Sequence, residues 1–197
     1  MHGVKIRVID DVERFTANMD AAGRRQVPFA LARALTWTAK DAQSDVREDL
    51  PRCYTLRNNW VKNGIRITPA TKASPQAVVG SLEPFMERQE TGGSKRSRGG
   101  HRIAVPKTKP AKIIPRGQRP TAVRQKPRVF TIATAHGAGI FRRQGRERYP
   151  LQILYWLKRG VKVKPSFGFK GTTTNAVAQR FGPNFVESLS QAMGHSS

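Results

Sequence analysis

The sequence is short of the residues from which most catalytic and metal centres are built. Cys53 is its only cysteine, which excludes an intrachain disulfide and a thiolate cluster. A single cysteine of this kind is expected to be a half-buried structural thiol. The four histidines, His2, His101, His136 and His195, are scattered, and none forms an HxxxH-type pair. After residue 90 the only acids are Glu147 and Glu187. No apolar run approaches the roughly 18 residues of a membrane span. The opening MHGVKIRVIDD lacks the apolar stretch of a secretory leader. Neither GxGxxG nor GxxxxGK[ST] occurs, so Gly137-Ala138-Gly139 is expected as a turn, with His136 structural beside it. No nucleophile, acid–base pair or ligand set can be assembled. The expectation is no catalytic residue, no metal, no cofactor and no enzymatic activity.

What is abundant is positive charge. The 197 residues hold 36 Lys/Arg against 13 Asp/Glu, a formal +23. Residues 1–90 carry 14 Lys/Arg and 11 Asp/Glu, whereas residues 91–197 carry 22 Lys/Arg and two acids. A block this basic repels itself unless an anion compensates it. Nucleic acid, an acidic protein surface and an anionic membrane all fit. The hydrophobic fraction of 38% lies below the roughly 45–50% of an ordinary domain. The 17 glycines and 13 prolines imply many turns and extended pieces.

Periodicity supplies the elements. Val4, Ile6 and Val8 alternate with cations as a strand or extended arm. Asp10 and Asp11 open a helix candidate carrying Val12, Phe15, Met19 and Ala22. Over residues 27–49, Val27, Leu31, Ala34, Leu35, Thr38, Ala42 and Val46 share one face. That predicts a long amphipathic helix, with Pro28 in its first turn and Pro51 at its end. Thr55 is the expected cap of a short helix that ends at Gly64. Ile65 and Ile67 then alternate as a strand, with QAVVGSL at 76–82 as the antiparallel partner. EPFMERQETGG has a short helical look. VFTIAT (129–134), 139–143 and 151–157 are further strand candidates. Val177, Phe181, Phe185, Leu189 and Met193 define a closing helix over 175–193, whose start Gly182-Pro183 could mark.

Residues 94–128 stand apart, with 12 Lys/Arg, no acid and prolines at 106, 110, 115, 120 and 127. Proline at this density excludes a helix and weakens a central strand. Only HRIAVP (101–106) looks like a strand. The expected fold is α+β: N-terminal helices including the long amphipathic one, a small antiparallel sheet or sandwich, and a C-terminal helix. Its expected domain is one unit over 1–197, with 91–128 a basic extended arm or loop.

FRRQGRERYPLQILY (141–155) predicts two strands about a turn at 145–150. Phe141, Leu151, Ile153 and Tyr155 would face the core, Tyr149 would brace the turn, and arginines would crowd the tip. The aromatics then lie within an apolar strand and not on a base-stacking face. Trp37, Trp60, Phe85 and Trp156 are expected as core or subunit-contact residues. No RNP-type pattern, zinc finger or basic zipper is present, so any DNA or RNA contact would be to phosphates, tolerant of sequence and steep in salt.

Three stretches carry a family resemblance: VPFALARALTWTAKDAQSDVREDL with YTLRNNWVKNGIRI; VGSLEPFMERQETGG before a basic loop; and FRRQGRERYPLQILY, with a Phe-rich helix to follow. In this order the chain resembles phage minor tail protein Z and related tail-completion proteins, over roughly residues 15–192. The Pro-rich basic insertion at 106–128 departs from that family. The resemblance implies a non-enzymatic virion protein of the tail or neck, assembled in the host cytoplasm. It implies a ring, hexameric in the family, that completes the tail for head joining. The implied partners are copies of itself, the tail terminator, tail tube and head-connector proteins, and the genome end without sequence reading, with no membrane contact. A sequence-nonspecific nucleic-acid-binding protein is the alternative. The residues expected to meet a partner subunit or DNA phosphate are Lys95, Arg96, Arg98, Lys107, Lys109, Lys112, Arg142, Arg143, Arg146 and Arg148.

Overall fold

The apolar stripe of residues 27–49 does what its period predicts. In the computed structural model, which describes residues 2–7, 21–97, 99–108, 114–134 and 137–194, the stripe lies on helix α1 (Ala21–Cys53). All seven of its members are buried. The helix is longer than expected at both ends, and Pro28 and Pro51 lie inside it. Each proline removes one backbone donor; the adjacent Val27 and Leu50, both fully buried, hold the helix through those positions. Cys53, at its end, is exposed rather than half-buried. Val8 and the helix candidate beginning at Asp10 lie outside the described residues.

Packing divides the chain into two compact units, Met1–Thr91 with Ser166–Ser197, and Gly92–Pro165. The class is α+β, as expected.

In the first unit, β1 (His2–Arg7), β2 (Ile65–Thr68) and β3 (Gln76–Ser81) form an antiparallel sheet in the order β1-β3-β2. Ile65 opposes Ser81 and Ile67 opposes Val79. The short helix α2 (Trp60–Asn63) precedes β2. It starts later than expected, because Asn58, and not Thr55, accepts the Trp60 N–H at 3.2 Å. Helix α3 (Phe85–Thr91) follows β3.

The closing helix, α5 (Phe169–Gly194), runs straight through Pro183 and begins well before it. Its buried residues are Thr173, Ala176, Ser188 and Ala192, while Met193 is exposed. Val177, Phe181 and Phe185 of the expected face pack half-buried against the core, and Met193 departs because a four-residue spacing drifts around the helix. At 100° per residue each step overshoots a full turn by about 40°, so Met193 lies roughly 160° around from Val177. The buried set follows the true 3.6-residue period. It packs antiparallel along α1, joined by a polar ladder. The Thr172 hydroxyl donates to Asp49 (2.7 Å), Arg180 pairs with Asp45 (3.0 Å), and Asn184 Nδ2 donates to Asp41 (3.0 Å) and Thr38 (3.1 Å). Glu90 of α3 closes the other end of α5: its carboxylate accepts the Phe169 and Lys170 amides at 2.6 and 3.1 Å.

The second unit absorbs most of the expected arm. Strand β4 (Gly93–Arg96) pairs with β9 (Gly160–Val163) as a two-stranded ribbon. Strand β5 (Ile103–Pro106) joins β6 (Val129–Thr134), β7 (Gly137–Arg143) and β8 (Leu151–Lys158) in an antiparallel sheet of order β5-β8-β7-β6. A 3₁₀ turn (Arg116–Gln118) leads into helix α4 (Pro120–Arg124). The described prolines of this segment thus mark joints. Pro106 ends an edge strand, Pro115 precedes the 3₁₀ turn, Pro120 occupies the first turn of α4, and Pro127 follows it. Gly137-Ala138-Gly139 is the start of β7 and not a turn.

The β7–β8 hairpin forms about residues 144–150 as expected, but its sides are assigned differently. Ile140 opposes Tyr155 and Phe141 opposes Ile153, so Leu154 is an extra residue, a bulge. The bulge puts Ile153 and Tyr155 on opposite faces although they are two apart. Tyr155 is buried with Val123, Ala138, Ile140 and Leu157 against α4. Phe141, Leu151 and Ile153 take the other face and are only half-buried. Tyr149 does not brace the turn; its ring is 64% exposed.

Candidate functional site

Charge follows the division into units. Residues 92–165 carry 20 Lys/Arg and Glu147 alone, a formal +19, whereas the rest of the chain carries 16 Lys/Arg and 12 Asp/Glu, a formal +4. The second unit is therefore where an anionic partner would bind.

Three groups of its described cations stand out. Lys95 and Arg96 lie exposed on the ribbon, where directly opposed residues share a face. Arg96 and Ser94 project on the side of Lys162, and the Arg96 stem passes about over Gly160, whose missing side chain would lie 3.9 Å from Arg96 Cγ. The second group surrounds a cleft of about 400 Å³ on the packed face of the four-stranded sheet. Lys107, Lys126 and Arg142 line it, over Val123 and Tyr155. Arg142 is fixed there by donating to Gln152 at 2.7 Å. The Tyr155 hydroxyl donates to the Gln118 carbonyl at 2.5 Å, tying the 3₁₀ turn to the sheet. Burial raises the Tyr155 phenol above its ordinary value, so it stays a neutral donor.

The third group lies on the opposite face. Arg143, next in sequence to Arg142, points the other way, and its guanidinium is 5.4 Å from the Phe130 ring centroid. Arg146 and Arg148 are exposed in the hairpin loop, Arg148 lying 5.8 Å from the Tyr149 ring. Arg98, Lys109 and Lys112 lie outside the described residues. The structure thus brings Lys107 and Arg142 together and separates Arg142 from Arg143. Sequence reasoning passed over Lys126, Lys158 and Lys162. The alternation Val161-Lys162-Val163-Lys164 was the available signal for β9.

Three of the aromatics expected as core or contact residues are on the surface. Trp60 is 56% exposed, 6.1 Å from the exposed Phe85 ring, and Trp156 is 45% exposed. Trp37 is half-buried beneath the Arg33 guanidinium, 4.4 Å from its ring centroid. In the first unit, burial raises the Tyr54 phenol, with its Ser166 bond opposing the shift and Cys53 and Glu90 adding to it. Among the described residues no group of three or more His, Cys, Asp or Glu is placed to hold a metal ion. No described helix is long and apolar enough to cross a membrane. Protein-family models, curated proteins and solved structures offer no match to the chain.

Proposed function

We propose that the chain is a structural, non-enzymatic subunit of a tailed-phage virion, a tail-completion or neck protein. It closes into a ring of its own copies, six by resemblance, between tail terminator, tail tube and head connector. The observation that supports this reading is the order of parts. The long α1, the β2–β3 pair, the basic segment, the β7–β8 hairpin joined through Arg148-Tyr149-Pro150, and the closing α5 occur in the sequence expected of tail-completion proteins. Exposed Trp60, Leu82 and Phe85 on the first unit supply apolar surface for a neighbouring subunit. Head-to-tail contacts between different surfaces close such a ring. The test is gene inactivation followed by electron microscopy of lysates. Heads and tails that accumulate unjoined support the proposal, and joined, infectious particles at normal yield refute it.

The charge of the second unit favours a second reading, sequence-nonspecific nucleic-acid binding. In that case log K for duplex DNA falls steeply against log salt. Absence of binding at low salt, or a flat salt dependence, removes it.

A further inference from the structure

The four-stranded sheet of the second unit has two unlike faces. Among its described residues every buried side chain, from Ala138 and Ile140 to Tyr155 and Leu157, belongs to the face packed on α4. The other face carries Phe130 on β6, Phe141 on β7 and Trp156 on β8, none of them buried. Phe130 and Phe141 are directly opposed, their rings stacked at 6.4 Å with planes 24° apart. Trp156 opposes Gly139, two residues from Phe141. The aromatic row therefore crosses three adjacent strands.

Gly139 sets the pose of this row. A Cβ there would lie 2.9 Å from Phe141 Cε2 and 3.2 Å from Ile153 Cδ1. The absent side chain leaves room for the edge of the Phe141 ring over Gly139. Cations flank the row on the same face. Arg143 lies against Phe130, and Lys158, two residues beyond Trp156, opposes Ile103 at the other end.

We infer that this open face binds single-stranded nucleic acid, stacking unpaired bases on Phe130, Phe141 and Trp156 while Arg143 and Lys158 meet the phosphates. The inference rests on the nucleic-acid reading above and makes it specific. Charge favours a polyanion: residues 92–165 carry 20 Lys/Arg against one acid, and of these Arg143 and Lys158 flank the face itself. Geometry selects the single strand, because in a duplex the flat sides of the bases are already covered by their neighbours. Stacking on aromatic side chains needs bases freed from that arrangement. Phe141 faces away from the packed side by alternation with Ile140, and the bulge at Leu154 brings Ile153 to the same side.

The experiment titrates the full chain at low salt with oligothymidylate of about 12 nucleotides, and in parallel with a duplex of equal length. Readouts are tryptophan fluorescence and anisotropy of a labelled strand. Quenching by the single strand is expected, and W156F is expected to lose that quenching while retaining affinity, because phenylalanine still stacks. W156A and F130A are each expected to weaken the single strand by about tenfold and to leave duplex affinity unchanged. Circular dichroism and melting of each variant establish that it folds, and the wild-type quenching stands independently of them. Equal affinity for both probes, with no quenching and no effect of the aromatic variants, overturns the stacking inference and leaves phosphate binding intact. No binding to either probe overturns both readings. Displacement of the oligonucleotide by polyglutamate at equal charge assigns the face to an acidic protein and also overturns the inference.

Discussion

Glu90 holds α5 from 79 residues away in the chain, and its removal gives a calculable loss. The helix begins at Phe169, and the Thr172 amide donates to the Gly168 carbonyl at 2.9 Å, which makes Gly168 the N-cap residue. Glycine has no side chain to satisfy the free amides of a first turn. Glu90 does so instead, taking Phe169 N–H and Lys170 N–H at 2.6 and 3.1 Å and placing a negative charge at the positive end of the helix. Losing a capping acceptor costs about 1 kcal/mol, and losing the charge at a helix N-terminus about 0.3–1 kcal/mol. Glu90→Ala should therefore destabilise the first unit by roughly 2 kcal/mol, an apparent Tm loss of about 4–8 °C for a chain of this size. Glu90→Gln keeps one acceptor oxygen and should lose about half as much. The position of Gly168 offers a rescue. A Cβ there meets nothing within 4 Å, so Gly168→Ser can cap the helix locally. In the Glu90→Ala background it should restore about 0.5–1 kcal/mol, and in wild type much less, because the amides are already bonded. Urea unfolding followed by circular dichroism measures all four members of this cycle. Glu90→Ala within about 0.5 kcal/mol of wild type, or a serine that gains equally in both backgrounds, would refute the capping role.

Three further outcomes follow from single contacts. Gly139→Ala puts a Cβ 2.9 Å from Phe141 Cε2 and 3.0 Å from the Tyr155 carbonyl oxygen; it should cost about 1–3 kcal/mol and alter the near-ultraviolet circular dichroism, and unchanged stability would contradict the close approach. Tyr155→Phe loses the bond to the Gln118 carbonyl and should destabilise the second unit by about 0.5–1.5 kcal/mol at neutral pH. Because burial holds the folded phenol above its ordinary value, its contribution is complete below about pH 10 and is lost as pH rises through the folded value; urea midpoints should converge between wild type and variant on going alkaline. Ser188 is fully buried and its hydroxyl has no hydrogen-bond partner among the described residues, so Ser188→Ala should stabilise the first unit by about 1 kcal/mol, and a lowered melting temperature would show a bonded hydroxyl.

The elements that could be read from sequence are those whose signal is local. The 3.6-residue stripe of α1, the alternation of Ile65 and Ile67 opposite 76–82, and the apolar strands on either side of 144–150 each specify themselves. What escaped depends on partners distant in the chain. Strand β4 has no apolar pattern of its own and exists because β9 pairs with it. The bulge at Leu154 changes the side on which four residues point, and nothing in PLQILY marks it. The cap on α5 comes from Glu90, which in sequence looks like one more acid on a short helix. For the candidate site, composition revealed the basic half of the chain. It did not reveal that Arg142 and Arg143 serve opposite faces, or that Phe130, Phe141 and Trp156 line up across strands, because both follow from register.

The concentration of charge also bears on what the second unit can be. Its buried residues in the sheet and α4 are few, Val123, Ala138, Ile140, Tyr155 and Leu157, and a formal +19 over residues 92–165 opposes compaction. A counter-ion that binds the folded unit and not the unfolded chain adds stability by mass action, so the partner belongs to the thermodynamics of the fold. Acidic neighbouring subunits and nucleic acid both meet that requirement, and charge alone does not choose between them. On the stacking inference, the open face of the sheet favours nucleic acid. An acidic protein surface has use for Arg143 and Lys158 but less for Phe130, Phe141 and Trp156 lined up across adjacent strands, whereas an unpaired strand uses both.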